Sequence, residues 1–408
     1  MIPIVMRKIY LHVIMLLLGV LGAQGQIKVR PAIADSTGYQ SRKLKVDEIN
    51  LVSAYYTQTG NNSAVTGGIG TEKLSDLANT IDVQMSKFNK RGRKNAFTFE
   101  LGIDHYSSAS SDKIDPSTIS SASSADTRIY PSLNWTQSDE SARNSFGFTG
   151  SYSGEYDYQS VGAGFNLTRM SKLKNTQFDF HLQAFLDKWT VILPIELRTG
   201  NGGESKSEGT SPRNSYSSSF ALSQVISQKL QAVVVVEPSF QKGLLATKYQ
   251  RDYFTDGSLR AETLPDQRFK LPIGARLNYF ASDHILLRAF YRFYTDNWGI
   301  SAHTAELEVP VKLSSFISIS PFYRYSRQKG TRYFAGYGQH IPGTTYFTSD
   351  YDLSTLNSDF YGAGFRFSPP GGVLGMQRIS LMELRYGHYS RSTGLAANVI
   401  SINIKVKK

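Results

Sequence analysis

Along most of the chain, apolar and polar residues alternate one by one over runs of roughly 10–15 residues bounded by turn formers. Successive strand side chains point to opposite faces, so each run predicts a strand that is apolar on one side only. Residues 97–106 place Phe97, Phe99, Leu101 and Ile103 on one face and Thr98, Glu100 and Asp104 on the other. Residues 268–279 set Phe269, Leu271, Ile273, Ala275, Leu277 and Tyr279 against Arg268, Lys270, Arg276 and Asn278. Residues 284–298 set Ile285, Leu287, Ala289, Tyr291 and Phe293 against Arg288, Phe290, Arg292, Tyr294 and Asp296.

Sixteen runs follow this pattern: 46–57, 76–88, 95–107, 127–138, 143–157, 160–171, 175–189, 215–227, 230–241, 268–281, 284–298, 300–313, 316–328, 358–368, 378–390 and 395–406. Strands of a soluble sandwich average about 5–6 residues. Runs of about ten or more match tilted strands that cross a bilayer. The connectors also sort themselves. Those at 58–75, 108–126, 190–214, 242–267 and 329–357 are long and fall at one end of the strands, while every connector at the other end is short. A spanning sheet leaves no edge unpaired in hydrocarbon and must close. The pattern therefore predicts an all-β, transmembrane, antiparallel up-and-down barrel of about 16 strands (range 14–18), with short periplasmic turns and long extracellular loops.

Arg7 and Lys8, an apolar run over 9–23 and the small-residue site at Ala23-Gln24-Gly25 describe a secretory signal peptide over 1–25. The domain reading continues with a periplasmic lead at 26–45 and a single barrel over 46–408. The destination is the outer membrane of a Gram-negative bacterium. The chain has no cysteine, which removes disulfides, thiolate metal sites and thiol nucleophiles. Loss of Arg7 and Lys8 takes the net charge from +12 to +10. Only 89–94 and 405–408 are basic clusters, so no nucleic-acid partner is expected. Tyr55, Tyr56, Trp135, Tyr156, Trp189, Trp298, Tyr323, Tyr325, Tyr386 and Tyr389 lie near strand ends, where they suit interfacial girdles.

Two stretches, "VDEINLVSAYYTQTGNNSAVTGGIGTEKLSDLANTIDV" (46–83) and "DHYSSASSDKIDPSTISSASSADTRIYPSLNW" (104–135), carry a resemblance. The chain resembles a Bacteroidetes-type family of outer-membrane barrels catalogued as domain of unknown function family 3570, with the match strongest over 46–135. The resemblance implies an outer-membrane barrel and no defined activity. It also implies a setting among periplasmic flavin-attachment and thioredoxin-like redox proteins, and identifies no site residue.

If the apolar parity faces lipid, the polar parity faces the lumen. The N-terminal half then contributes an acidic wall of Asp82, Glu100, Asp104, Asp179 and Asp187, with His181 among them. The C-terminal half contributes a basic wall of Arg268, Lys270, Arg276, Arg288, Arg292, Lys312, Arg324, Arg366 and Arg385, with Lys405, against Glu306, Glu308 and Glu383. Such a lumen would favour anions. Between the first two runs lies "SAVTGGIGTEKLSD" (63–76). It lacks the ending of a phosphate loop. Its Thr66, Gly67, Gly68, Gly70, Thr71 and Glu72 suit a loop folded back over or into the barrel.

The histidines are scattered over different runs and loops, and no nucleophile elbow occurs, so no catalytic residue is expected. Acidic loop stretches at 349–354 and 104–115 lack EF-hand spacing, so neither metal nor cofactor is expected. Expected partners are outer-membrane lipid and lipopolysaccharide, the barrel assembly machinery and small solutes. The pattern predicts a water-filled pore for small, preferentially anionic solutes. The alternative is a plugged barrel serving envelope assembly, surface binding or a periplasmic redox or flavin system.

Overall fold

A computed structural model describes residues 42–107, 125–139, 143–198 and 208–407. The signal sequence and most of the 26–45 lead lie outside them, as does most of the loop at 108–126.

Twenty strands form among the described residues, numbered in chain order. The N-terminal half contains β1 (Lys45–Thr59), β2 (Leu74–Phe88), β3 (Lys94–Tyr106), β4 (Asp126–Ser138), β5 (Asn144–Gly154), β6 (Tyr158–Met170), β7 (Thr176–Thr190) and β8 (Thr210–Val225). Next come β9 (Leu230–Val236), β10 (Ser239–Gly243), a short loop hairpin of β11 (Arg251–Tyr253) and β12 (Leu259–Ala261), and then β13 (Gln267–Phe280) and β14 (Leu286–Asp296). The chain finishes with β15 (Ser301–Glu308), β16 (Val311–Lys312), β17 (Ile317–Lys329), β18 (Leu356–Phe367), β19 (Ile379–Arg391) and β20 (Ala396–Lys407).

β9 with β10, and β15 with β16, are each one spanning strand interrupted by a proline, Pro238 and Pro310. Proline lacks the N–H that a ladder needs. The neighbouring groups still bond: Ser218 N–H donates to the Pro238 carbonyl at 3.0 Å and Leu286 N–H to the Pro310 carbonyl at 3.0 Å. Counted this way, sixteen spanning strands coincide with the sixteen alternating runs, each antiparallel to its neighbours. β1 pairs with β2 from Lys45↔Ser86 to Gln58↔Leu74 and with β20 from Glu48↔Lys407 to Thr59↔Ala396, so the sheet closes. The fold is a closed, antiparallel, up-and-down β-barrel.

Register carries the alternation into three dimensions. Phe99, Leu133, Phe148, Leu182, Leu222, Leu277, Leu307 and Ile400 are all 40–53% exposed on the barrel's outer face. An apolar belt right around a barrel is not a stable surface in water, and contact with lipid is what it suits. The connections at one end are tight: Asn89 Oδ1 accepts from Arg91 N–H at 2.9 Å, and Gly92 takes φ 69° there, a left-handed value that suits glycine. The other end carries the long segments 60–73, 244–266 and 330–355, which pack on one another.

The tyrosines and tryptophans divide between environments. Tyr55, Tyr156, Tyr323, Tyr325 and Tyr386 are exposed, as a girdle requires, but Trp189 and Trp298 are buried. Trp298 packs with Leu245, Ala246 and Leu264 in a small core under the loops, and Tyr389 lines the interior. A tryptophan at a strand end serves a loop core as readily as an interface, and alternation alone does not distinguish the two.

Candidate functional site: the lumen wall

The polar parity of β13 through β19 meets inside the barrel. Cross-strand register organises it into levels. At one level Arg276 on β13 faces Phe290 on β14, which faces Glu306 on β15, then Arg324 on β17, Phe360 on β18 and Tyr389 on β19. One step toward the loops, Arg292 stands between Gly274 on β13 and Thr304 on β15, followed by Ser326 and Ser358. One step toward the turns, Asn278, Arg288, Glu308 and Phe322 are followed by two glycines, Gly362 and Gly387. A Cβ on Gly387 would meet the Phe360 ring at 2.6 Å, so these glycines make room for the aromatic rings beside them.

These levels enclose a cavity of about 700 Å³ lined by Arg276, Arg288, Arg292, Arg324, Glu306 and Glu308 among others. A second of about 180 Å³ toward the turns is lined by Lys312, Arg366, Arg385 and Glu383. Arg288 and Glu308 line both. Seven of the nine basic-wall residues are thus brought together, while Arg268 and Lys270 lie outside both cavities.

Charge pairing divides the wall. Arg288 donates to Glu308 at 3.1 Å, and Arg385 reaches the same carboxylate at 3.1 Å from three strands away. Arg385 also pairs with Glu383 at 3.4 Å, and Arg324 with Glu306 at 2.5 Å. Arg268 pairs with the fully buried Asp296 at 2.6 Å, its guanidinium 4.4 Å from the Trp298 ring. Lys405 pairs with Glu48 at 2.7 Å. Asp296 and Glu48 were not among the expected counter-charges. Asp296 is on the polar face of its run, but its role depends on β13 lying alongside. By contrast, Arg276, Arg292, Lys312 and Arg366 form no ion pair among the described residues. The paired arginines still keep much of their surface open to solvent, with Arg288 and Arg324 each 45% exposed.

Four of the five acidic-wall carboxylates accept a hydrogen bond from a neutral neighbour. Asp82 accepts from Asn50 at 3.0 Å, Asp104 from Tyr130 at 2.9 Å, Asp179 from Thr168 at 2.7 Å, and Asp187 from the Tyr158 hydroxyl. Glu100 lies in register with Asp82, and His181 with Asn166. Among the described residues, no ion pair joins these five carboxylates to the basic wall.

The glycine-rich loop keeps company with other loops. Gly67, Gly68 and Gly70 all take φ 84°. A Cβ on Gly67 would strike Tyr253, and one on Gly68 the Ser349 carbonyl. Thr66 donates to the Ser63 carbonyl at 3.3 Å. Glu72, one residue past Thr71, lies 3.7 Å from Arg391 at the loop end of β19. The neighbouring Val65 carbonyl accepts from the buried Arg251 at 3.0 Å, and Arg251 also pairs with Glu196 at 3.0 Å.

Beneath these contacts lies a buried polar network. Glu262 accepts from Thr348 Oγ1 and from Thr247 N–H, both at 2.5 Å, tying 244–266 to 330–355. Burial, then the nearby Asp350, pushes the Glu262 carboxyl up to about 8. Asp350 itself is pushed up to about 7 by burial and by Asp352. The network gave no signal in the sequence, because loop polarity has no period that marks a partner.

Ser349, His340 and Asp252 also meet there, at 3.0 Å and 3.4 Å. They do not have the geometry of a nucleophilic triad. Both contacts use His340 Nε2, whereas a triad needs one on each ring nitrogen, and all three residues are buried. His303, on the lipid-facing parity, bonds Tyr291 at 2.7 Å. Among the described residues, no three His, Asp or Glu side chains gather to hold a metal.

The family described as "Protein of unknown function (DUF3570)" matches residues 78–370. The match therefore begins later than the stretch that carried the sequence resemblance and runs on through the basic wall as far as Arg366, ending before Arg385. No curated protein matches the chain. Among solved structures, a ferric enterobactin receptor mutant from Pseudomonas aeruginosa is similar at a TM-score of 0.47 and 10% identity, covering 86% of this chain and 54% of that one. The chain thus spans about half the length of that receptor. A bacterial polysaccharide outer membrane secretin gives a TM-score of 0.46 at 10% identity, covering 89% of this chain and 99% of that one. OccK9 from Pseudomonas aeruginosa gives 0.41 at 7% identity, covering 89% and 98%. Similarities this slight transfer no cargo, and the barrel assignment rests on the strand pairing itself.

Proposed function

From the premise that the chain belongs to the DUF3570 family of proteins of unknown function, we propose that it is a water-filled outer-membrane pore whose basic wall favours small anionic solutes. One observation carries this reading: Arg276 and Arg292 face the 700 Å³ cavity without an ion-pair partner among the described residues. A charge left unpaired in a dry interior costs several kcal/mol. Water or an anion must therefore meet these guanidinium groups. The exposure of Arg288 and Arg324, although paired, supports the same state. No enzymatic role is proposed.

The setting proposed with it is the outer membrane of a Gram-negative bacterium, reached by a secretory signal and the barrel assembly machinery, with lipid and lipopolysaccharide around the apolar belt. A second reading, a closed barrel that binds a partner, draws support from the interlocked loops 60–73, 244–266 and 330–355.

Planar-bilayer recording of the purified barrel tests the proposal. Steady ohmic current with anion preference is expected, and reversing Arg276 and Arg292 to glutamate should lower that preference. Silence at all voltages would overturn the pore and favour the closed barrel.

A further inference from the structure

We infer that the larger lumen cavity is a binding station for an oxyanion carrying two negative charges, held by Arg276 and Arg292. This rests on the reading of the lumen as water-filled. It goes beyond a general anion preference by assigning the ligand's charge and the residues that hold it.

Charge accounting gives the valence. The cavity is lined by four arginines, Arg276, Arg288, Arg292 and Arg324, and two carboxylates, Glu306 and Glu308. Arg324 is matched by Glu306 and Arg288 by Glu308, while Glu308 is shared further with Arg385. Two positive charges remain, on Arg276 and Arg292. A monovalent anion would leave one of them unmatched.

Geometry brings these two together. Arg276 is the cross-strand partner of Phe290, and Arg292 lies two residues beyond Phe290 on the same strand and face. Such diagonal neighbours sit about 7–8 Å apart at the backbone, within reach of a common ligand for side chains as long as arginine. The slot directly opposite Arg292 is Gly274, which offers no side chain to occupy its guanidinium. The Arg276 guanidinium carbon lies 5.6 Å from the Phe290 ring centroid. A guanidinium lying over a ring is steadied through its face and keeps its N–H edge free for a planar, bidentate oxyanion. The paired Arg288 and Arg324 flank this site without competing for the ligand.

A phosphate group carries both charges on one centre, and a dicarboxylate carries them on two. Both present the oxyanion chemistry that paired arginines recognise.

Isothermal titration of the intact, detergent-solubilised barrel with inorganic phosphate, succinate, acetate and chloride tests the inference without requiring conduction. Phosphate, succinate or both should bind about tenfold or more tightly than acetate, the equivalent of one charge-assisted hydrogen bond. Whichever dianion binds more tightly identifies its source. The double variant Arg276→Gln with Arg292→Gln should remove that preference. Lys229→Gln, in the exposed short turn between β8 and β9 and outside the cavity, should leave it unchanged, and heat-modifiable migration on gels shows that each variant is folded. The inference is overturned if neither dianion exceeds acetate, or if the preference survives in the double variant. A barrel that conducts without dianion preference keeps the pore and loses the station. One that binds dianions and stays silent in bilayers keeps the station and loses the pore.

Discussion

Arg288 on β14 donates to Glu308 on β15 at 3.1 Å, and the two are direct cross-strand partners. Glu308 simultaneously accepts from Arg385 on β19. One carboxylate therefore restrains two arginines from separate strands. Glu308→Gln should raise the anion-to-cation permeability ratio, read from the reversal potential in a salt gradient. The stability cost should be no more than about 1 kcal/mol for each of the two pairs lost, because Arg288 and Arg385 are 45% and 39% exposed and screened by water.

The loop network should loosen as pH rises. The Glu262 carboxyl is pushed up from 4.5 to about 8 in the packed loops. It therefore binds its proton more tightly in the packed state than in the opened one. The resulting stabilisation is complete at low pH and is lost as pH rises from about 4.5 to about 8. Hydrogen exchange in 244–266 and 330–355, corrected for the intrinsic effect of pH, should speed up between pH 6 and pH 8.5. Glu262→Gln should flatten that dependence.

Trp298 is 2% exposed, its indole N–H donating to the Gln267 carbonyl at 3.0 Å. Trp298→Ala should cost about 3–5 kcal/mol locally. Limited proteolysis should then cut the loops faster, while circular dichroism and heat-modifiable gel migration report an intact barrel. A Trp298→Ala protein that no longer forms the barrel would contradict a role confined to the loop core.

Leu182 and Gln183 are consecutive residues on β7 that point to opposite faces, Leu182 being 50% exposed on the apolar belt. Leu182→Arg places a charge against lipid and should cost about 2–4 kcal/mol near the bilayer midplane. Gln183→Arg faces the lumen and should cost much less. Urea unfolding in liposomes measures the difference, and equal costs would reverse the assignment of the two faces.

The sequence by itself determined the barrel. A period of two residues decides which side chains face lipid, and the sorting of long and short connectors decides which end carries the loops. Both are local signals, so all sixteen spanning strands were legible, including the two interrupted by Pro238 and Pro310. The sequence also placed Arg276, Arg288, Arg292 and Arg324 on the polar face. It did not show which of them would be neutralised, because that depends on register between strands. Glu308 serves Arg288 next door and Arg385 three strands away, while Gly274 leaves Arg292 unanswered. Only the tertiary structure moved Trp298 from a membrane girdle to a loop core, since its partners Leu245, Ala246 and Leu264 lie on a different loop. Only the tertiary structure joined Glu262 to Thr348, 86 residues apart in the chain. Alternation is written into each strand separately, whereas charge pairing and loop packing exist only once distant segments share the same space.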